Sequence, residues 1–436
     1  MFLIAQSVDI RGTVSDSVSG EKIPFASVAL VGTNRGAASN LSGFYLISSV
    51  SQGQYVISAS SIGYEKKTLK ISVAGREPIV LNFRLPPKPV EFSEVVVTDR
   101  AKRELTEINT SVHVMDQKDI HMVPVTVLPD IFRSIQVLPG VVSTSDVNSH
   151  FYVRGGGGDQ NLILLDGMKV YNPFHAFGIF SVFDADVIKS TEVYTGAFPP
   201  GFGGRLSSVV NLTTRDGRAT GFSGKANVNF ISSKLLFEGP VAEGTRVLVS
   251  GRKSLFNETF TRVLKKDVPL SFYDVLLKGT SEYDDSQSKY GLEAFFSGDD
   301  LFPSSPDQPN YHWRNRAAAF TASGLIQDRV YIDAVWYQTF FEAKREAQGA
   351  PDASNASTSI EEVGIRSNAT LYTNSGDLYF FGFEFNFPGL EYNLINNFGS
   401  PVRLHSRVVE TWTWLRYQST MGNLKLDGGI HVDVGS

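Results

Sequence analysis

The 436-residue chain contains no cysteine, which excludes disulfides, thiol nucleophiles and cysteine-ligated metals. It also lacks any uninterrupted apolar run near the ~20 residues that a membrane-spanning helix needs. If the chain crosses a bilayer, it must do so as a closed β-barrel, because lipid tolerates no unpaired backbone groups. A net charge of −5 and the absence of a long basic patch argue against nucleic acid as a partner. The seven histidines fall in no HExxH or His-x-His spacing, and no catalytic constellation stands out. No catalytic residue, metal or cofactor is therefore assigned. Gly155–Gly158 is followed neither by Lys-Ser/Thr nor by a helix start, so it reads as a tight turn and not as a phosphate cradle.

What is present is strand and turn. From Phe151 to Thr214 three short apolar runs, Asn161–Leu165, Ser190–Tyr194 and Ser208–Leu212, are bounded by Gly, Pro, Asn or Asp, the pattern of buried strands. Glycines crowd at Gly155–Gly158 and at Gly201, Gly203 and Gly204, where the backbone must turn tightly or approach another surface closely. Upstream, Val112–Met115 reads as a strand. The segment from Gln117 to Val137 reads as one or two helices, with Ile131, Ile135 and Leu138 on one face.

The first unit, Ile10 to Leu85, has strand-like runs at Ile10–Val14, Ala26–Leu30, Gly43–Ile47, Gln54–Ser60, Thr68–Val73 and Ile79–Leu85. This spacing predicts a small antiparallel β-sandwich. Pro86-Pro87-Lys88-Pro89 reads as a stiff linker, and Glu94-Val95-Val96-Val97-Thr98 as a short β-prone run with no obvious partner. Beyond Asp216-Gly217-Arg218 the runs lengthen to about ten to thirteen residues with strict alternation. Leu424, Leu426, Ile430, Val432 and Val434 share one face, as do Tyr379, Phe381, Phe383, Phe385 and Phe387. Tyr290, Leu292, Ala294 and Phe296 oppose Lys289, Glu293 and Ser297. This is the dyad pattern of a transmembrane barrel, apolar outward and polar inward, although soluble sandwiches also alternate. About ten or eleven such strands fit between Phe222 and Val434. Phe302–Asn315 and Ala343–Ser359 would be long outer loops, and Gln327-Asp328 and Thr373–Asp377 tight turns. Trp313, Trp336, Trp412 and Trp414 would suit interfacial girdles.

Residues Arg154-Gly155, Leu164-Leu165-Asp166-Gly167, Asp186-Val187-Ile188-Lys189 with Glu192-Val193, and Gly201–Arg205 before Val209-Val210-Asn211-Leu212 occur together and in this order. So arranged, the stretch resembles the plug domain of TonB-dependent outer-membrane receptors. The Tyr171–Phe180 segment resembles the version carried by Bacteroidetes-type receptors. The first unit resembles a carboxypeptidase-regulatory-like domain, on Gly12-Thr13-Val14, Pro24–Val28, Gly43-Phe44-Tyr45 and Gly63-Tyr64. It reads as a binding or spacer module.

The resemblance implies a mainly β protein with an N-terminal β-sandwich (8–85), a linker with a TonB-box-like segment (86–99) and an α+β plug (100–217). The first ~10–11 strands of a transmembrane antiparallel barrel (218–436) would follow, out of the ~22 strands that a plug-holding barrel needs. Only 216 residues follow Thr220, against the roughly 450 or more such a barrel requires. The chain is accordingly expected to be the N-terminal portion of a longer receptor, and residues 1–7 a signal-peptide remnant or a casual start.

Further roles follow from the resemblance alone. Glu94, Val95, Val96, Val97 and Thr98 would pair edge-to-edge with TonB, unless Val95–Val97 is simply the first plug strand. Arg154, Glu192 and Arg205 would latch plug to barrel wall or form ordinary structural ion pairs. Thr195 stands where the family usually carries a second basic residue. Tyr171, Asn172, Phe174, His175 and Phe177 would form an apex that stacks on substrate or anchors the plug. The implied function is TonB-dependent active import of a scarce substrate (an iron chelate, oligosaccharide or peptide) across a Gram-negative outer membrane. The N-terminal domain would lie in the periplasm, and a surface lipoprotein is a further candidate partner. The alternative is an outer-membrane ligand-binding, signalling or adhesin protein without transport.

Overall fold

The computed structural model describes residues 7–75, 77–88, 111–123, 129–145, 148–265, 268–283, 287–303, 305, 307–348, 354–396, 398–421 and 424–435. Glu94–Thr98 lies outside the described residues, as does Met1–Gln6.

The first unit is a two-sheet sandwich. One sheet holds β1 (Ser7–Asp16), β4 (Phe44–Ser51), β7 (Ile79–Val80) and β8 (Phe83–Leu85). The other runs β3 (Gly36–Ala38), β2 (Ser27–Leu30), β5 (Gly53–Ser60) and β6 (Lys67–Val73). The expectation of an all-antiparallel sandwich is corrected here: β1 runs antiparallel to β4 but parallel to β7 and β8. The chain crosses from one sheet to the other between β6 and β7 and so returns beside β1 in the same direction. Inward alternation buries Ile10, Val28, Ile57, Phe83 and Leu85 in one core. Pro86–Lys88 is no free spacer. Glu65 N–H donates to Pro86 O at 2.8 Å and Lys88 N–H to Gly63 O at 2.9 Å.

The second unit is built on a mixed sheet in the order β13 (Met168–Lys169), β12 (Asn161–Leu165), β17 (Ser208–Thr214), β16 (Ile188–Tyr194), β9 (Val112–Asp116). Only β12–β17 is parallel; β16 sits antiparallel between β17 and β9. All five residues of β12 are buried, which is why it reads as a continuous apolar run and not as an alternating one. Two short helices, α1 (Gln117–Met122) and α2 (Ile131–Gln136), are capped by Asp116 and Asp130, whose carboxylates accept backbone N–H groups of the first turn. Ile131, Phe132 and Ile135 of α2 pack under the sheet with Ile163, Leu165, Val193 and Leu212.

The third unit is one large antiparallel sheet. In sequence it comprises β18 (Ser223–Val228), β19 (Ser232–Ala242), β20 (Thr245–Ser254), β21 (Leu270–Tyr283), β22 (Ser288–Leu301), β23 (Asn310–Ile326), β24 (Val330–Glu346), β25 (Ala356–Tyr372), β26 (Leu378–Ile395), β27 (Pro401–Arg407), β28 (Glu410–Met421) and β29 (Leu424–Gly435). Every neighbour pairs in order, except that β26 pairs with β28 along its first half and with β27 along its second. Among the described residues β18 and β29 each have a partner on one side only. The dyad reading of faces matches: Phe381, Ile430 and Leu292 are exposed on the outer face, while Glu293, Glu384 and Asn386 are buried on the inner one.

Three expectations change. The strands from β21 to β26 are longer than anticipated, reaching 18 residues in β26. The supposed outer loops shrink to 302–309 and 347–355, because polar residues such as Asn310–Arg316 continue the ladder past the apolar band. Trp412 and Trp414 point inward and are buried, so they belong to no girdle. The inner face is also not uniformly polar. Leu236, Leu248, Leu276, Phe295 and Val335 join the apolar core of the second unit. A lumen that holds a folded stopper needs apolar contact where the stopper touches it.

At one rim of the wall, the short-link rim, strands are joined by short links such as 243–244, 327–329 and 373–377; the other rim carries the longer links, including α3 (Phe256–Leu264), beside the three-residue link 229–231. The sandwich sits on the short-link rim: Phe44 stacks on Tyr331 at 5.2 Å and Asp9 pairs with Arg329 at 2.9 Å.

Candidate functional site

The second unit meets the inner face of the wall through buried charge. Asp166 closes β12 in a left-handed turn (φ 46) ahead of Gly167 (φ 87), and this turn aims its carboxylate outward from the sheet. Lys278 of β21 reaches it at 2.8 Å and also lies 3.5 Å from Asp216 and 3.7 Å from Glu293. Asp216 collects further cations, with Lys289 at 2.7 Å, Lys189 at 3.7 Å and Arg246 at 3.8 Å. Burial alone would raise both carboxyls. The surrounding cations win, taking Asp166 down to about 2 and Asp216 well below the usual carboxylate range. Burial pushes the Lys189 ammonium down to about 8, although Asp216 opposes it.

A second group lies beside it. Arg215 sends Nη2 to Glu238 of β19 at 2.7 Å and Nε to Glu21 of the sandwich at 3.1 Å. Lys234 of β19 meets Asp184 at 2.8 Å and also Asp186, which Lys225 of β18 reaches at 2.7 Å. Buried pairs of this kind add little net stability, yet removing one partner costs about 3–5 kcal/mol. The interface is therefore sensitive to one-sided disturbance.

Toward the other rim, His175 is fully buried between two wall carboxylates, with Nδ1 2.7 Å from Asp299 and Nε2 3.3 Å from Asp274. Its ring stacks on Phe272 at 4.4 Å. Burial disfavours the imidazolium, but the two carboxylates outweigh that and raise its pKa. Immediately after it, Ala176, Phe177 and Gly178 are consecutively left-handed (φ 54, 56 and 98). That strained turn lifts Phe177 to 57% exposure, edge-on to Trp313 at 4.9 Å. A pocket of about 220 Å³ opens there, lined by His150, Asn172, Phe174, Phe177 and Trp313, with Asp299 at its floor.

The five apex residues expected from sequence thus divide. Asn172, Phe174 and Phe177 line the pocket. His175 is a wall contact, and the Tyr171 hydroxyl donates to Glu362 of β25, which also takes Lys169 at 2.8 Å. The three expected latch residues are placed differently from the ion pairs above. Arg154, itself left-handed (φ 48), lies within 3.5 Å of Ser111 and over Gly196 of its own unit. Glu192 accepts from Asn211 on the next strand at 2.7 Å, and Arg205 donates to Gly204 O at 2.7 Å. Plug–wall ion pairs run through Asp166, Lys169, Asp184, Asp186, Arg215 and Asp216, and Arg205 lies close enough to Glu410 of β28 to act on its charge. Charges that bound the short apolar runs, in Leu-Leu-Asp-Gly, Asp-Ala-Asp and Thr-Arg-Asp-Gly, were the available signal for them.

The crowded glycines are a second seat. A methyl group on Gly201 would meet Arg366 at 3.2 Å and Trp414 at 3.4 Å, on Gly203 His431 at 3.0 Å, and on Gly204 (φ 76) Trp412 at 3.2 Å. Only a bare backbone lets the inward tryptophans lie flat on this turn.

A folded domain seated by buried ion pairs on the inner face of a long-stranded antiparallel wall is the arrangement of a plug against a β-barrel wall. Family models agree: a CarboxypepD_reg-like domain matches residues 10–97 and a TonB-dependent receptor plug domain matches residues 104–210. The chain is 26% identical over 223 residues to TonB-dependent receptor P26 of Formosa agariphila, covering 49% of this chain and 21% of that one. It is 26% identical over 280 residues to the TonB-dependent transporter Oar of Myxococcus xanthus, covering 58% and 24%. The fold is similar to the outer membrane transporter YddB from Escherichia coli, with a TM-score of 0.58 at 11% identity over 74% of this chain and 56% of that one. The chain carries a match to the plug domain of TonB-dependent receptors at residues 104–210 and is similar to members of that family beyond it. It spans under a quarter of the length of the two curated relatives it matches.

Proposed function

We propose that this chain supplies the plug and part of the wall of an outer-membrane importer that TonB opens from the periplasm. The observation that carries this reading is the mode of seating. A folded stopper is held to the inner wall by buried pairs such as Asp166–Lys278 and Arg215–Glu238, a contact that is stable at rest and costly only when broken from one side. Substrate would enter at the long-link rim and meet the Phe177–Trp313 pocket, where exposed ring faces stack on a sugar, peptide or chelate. The rim carrying the sandwich would face the periplasm. There, TonB would grip Glu94–Thr98 by strand addition, which takes its affinity from backbone hydrogen bonds. A surface lipoprotein would meet the opposite rim.

The test is accumulation of whatever ligand co-purifies with the receptor from outer membranes, radiolabelled and offered to energised cells. Uptake should vanish on deletion of TonB. It should also vanish in Val96→Pro, which removes one backbone donor, with receptor abundance unchanged. Binding without energy-dependent accumulation would instead make the protein an adhesin or signalling receptor.

A further inference from the structure

The N-terminal sandwich touches wall and plug at once. Against the wall, Phe44 stacks on Tyr331 and Asp9 pairs with Arg329. Against the plug, Glu21 uses both oxygens: Oε2 accepts from Arg215 Nε at 3.1 Å and Oε1 from the Asp216 backbone N–H at 3.1 Å. Of the other two arms of that guanidinium, Nη2 pairs with wall Glu238 at 2.7 Å and Nη1 donates to Asp186 O at 3.4 Å. One plug arginine is therefore shared between sandwich and wall. The residue that follows it is the carboxylate at the centre of the lysine cluster. A backbone bond from Ala219 N–H to Ser19 O at 2.7 Å fixes the same turn from the other side.

We infer that the sandwich is a docked cap on this rim and that Glu21 is a plug-positioning residue, holding Arg215 and Asp216 in register with their wall partners. A guanidinium presents its donors as a rigid fork. Two carboxylates from two bodies fix its plane, whereas without Glu21 the Nε side is unheld and only Glu238 and the longer bond to Asp186 O keep it in place. Without Glu21 the Asp216 N–H also loses its acceptor at an almost fully buried site, the costly kind of loss. The plug cannot leave through this rim while the cap stays docked. That consequence rests on the importer reading above; the docking does not.

The test uses a cysteine-free complete receptor in planar lipid bilayers, with KCl conductance followed as urea is raised. Ser42→Cys and Ser323→Cys, whose hydroxyls lie 3.5 Å apart, are joined as a disulfide or by a short thiol cross-linker. The pair should cross-link in intact cells. The bridge should move the onset of conductance up by on the order of 1 M urea, reversibly on reduction. Glu21→Gln without the bridge should move it down by a similar amount, and Glu21→Asp by less, while both variants still migrate as folded barrels on unheated gels. Cysteines that do not cross-link, or an onset unmoved by both the bridge and Glu21→Gln, would overturn the inference. The readout needs neither substrate nor TonB, so failure of the transport reading is seen separately, in the uptake assay.

Discussion

At Gly204 a single methyl group decides how the plug sits. The residue is left-handed and a methyl group there would press on the Trp412 ring at 3.2 Å, so Gly204→Ala combines a backbone cost of about 1–2 kcal/mol with a smaller steric one. The variant should unfold at lower urea by intrinsic fluorescence, and Gly221→Ala, left-handed with open space around it, should lose only the backbone share. Asp166 gives a pH prediction. Its folded pKa of about 2 lies below the unfolded value, so its stabilisation is complete above about pH 4 and is lost as pH falls through about 2. Asp166→Asn leaves Lys278 without its nearest partner, so it should cost about 3–5 kcal/mol at neutral pH and flatten that acid limb in urea titrations. His175 has the opposite sign. Its folded pKa is raised, so the ion pairs with Asp274 and Asp299 contribute fully below about pH 6.5 and fade as pH climbs through the folded value. Hydrogen exchange around Phe174–Ser181 should speed up on the alkaline side, and a His175→Phe variant should not show that rise. None of this was legible at position 175 alone. The carboxylates that make it an anchor lie 99 and 124 residues away in sequence, whereas the glycines announced a close approach by their crowding.

At the scale of elements, period-two alternation carried the most information. It assigned the lipid face of β22, β26 and β29 correctly, because lipid outside and plug or water inside impose opposite demands on successive side chains. It could not place strand ends, since beyond the apolar band the ladder continues through polar residues that look like loop. Nor could it separate an outward tryptophan from an inward one: Trp336 is exposed while Trp412 and Trp414 are buried against the plug. Phe381→Arg on the outer face of β26 should cost about 2–4 kcal/mol if it lies near the bilayer midplane. Folding yields into lipid vesicles, compared with the same change at inward-facing Phe380, check this: Phe380→Arg should be much milder.

At the scale of the molecule, the plug announced itself through an ordered set of motifs, and the sandwich through its rhythm of short strands. Their mutual arrangement did not. That the sandwich lies against the short-link rim depends on pairs such as Asp9 with Arg329 and Glu21 with Arg215, whose members are far apart in the chain and whose charges look like ordinary surface residues. The latch was expected at Arg154, Glu192 and Arg205, by analogy of motif. Charges that pair with the wall also sit at the strand ends, at Asp166 and Arg215-Asp216, where the backbone turns and a side chain can leave the plug sheet. The most direct measurement is a single-particle reconstruction of the complete receptor in lipid nanodiscs. The account expects residues 111–214 inside a closed, lipid-surrounded wall, with Asp166 on Lys278 and His175 between Asp274 and Asp299. A water-soluble particle, or a plug lying outside any barrel, would contradict it.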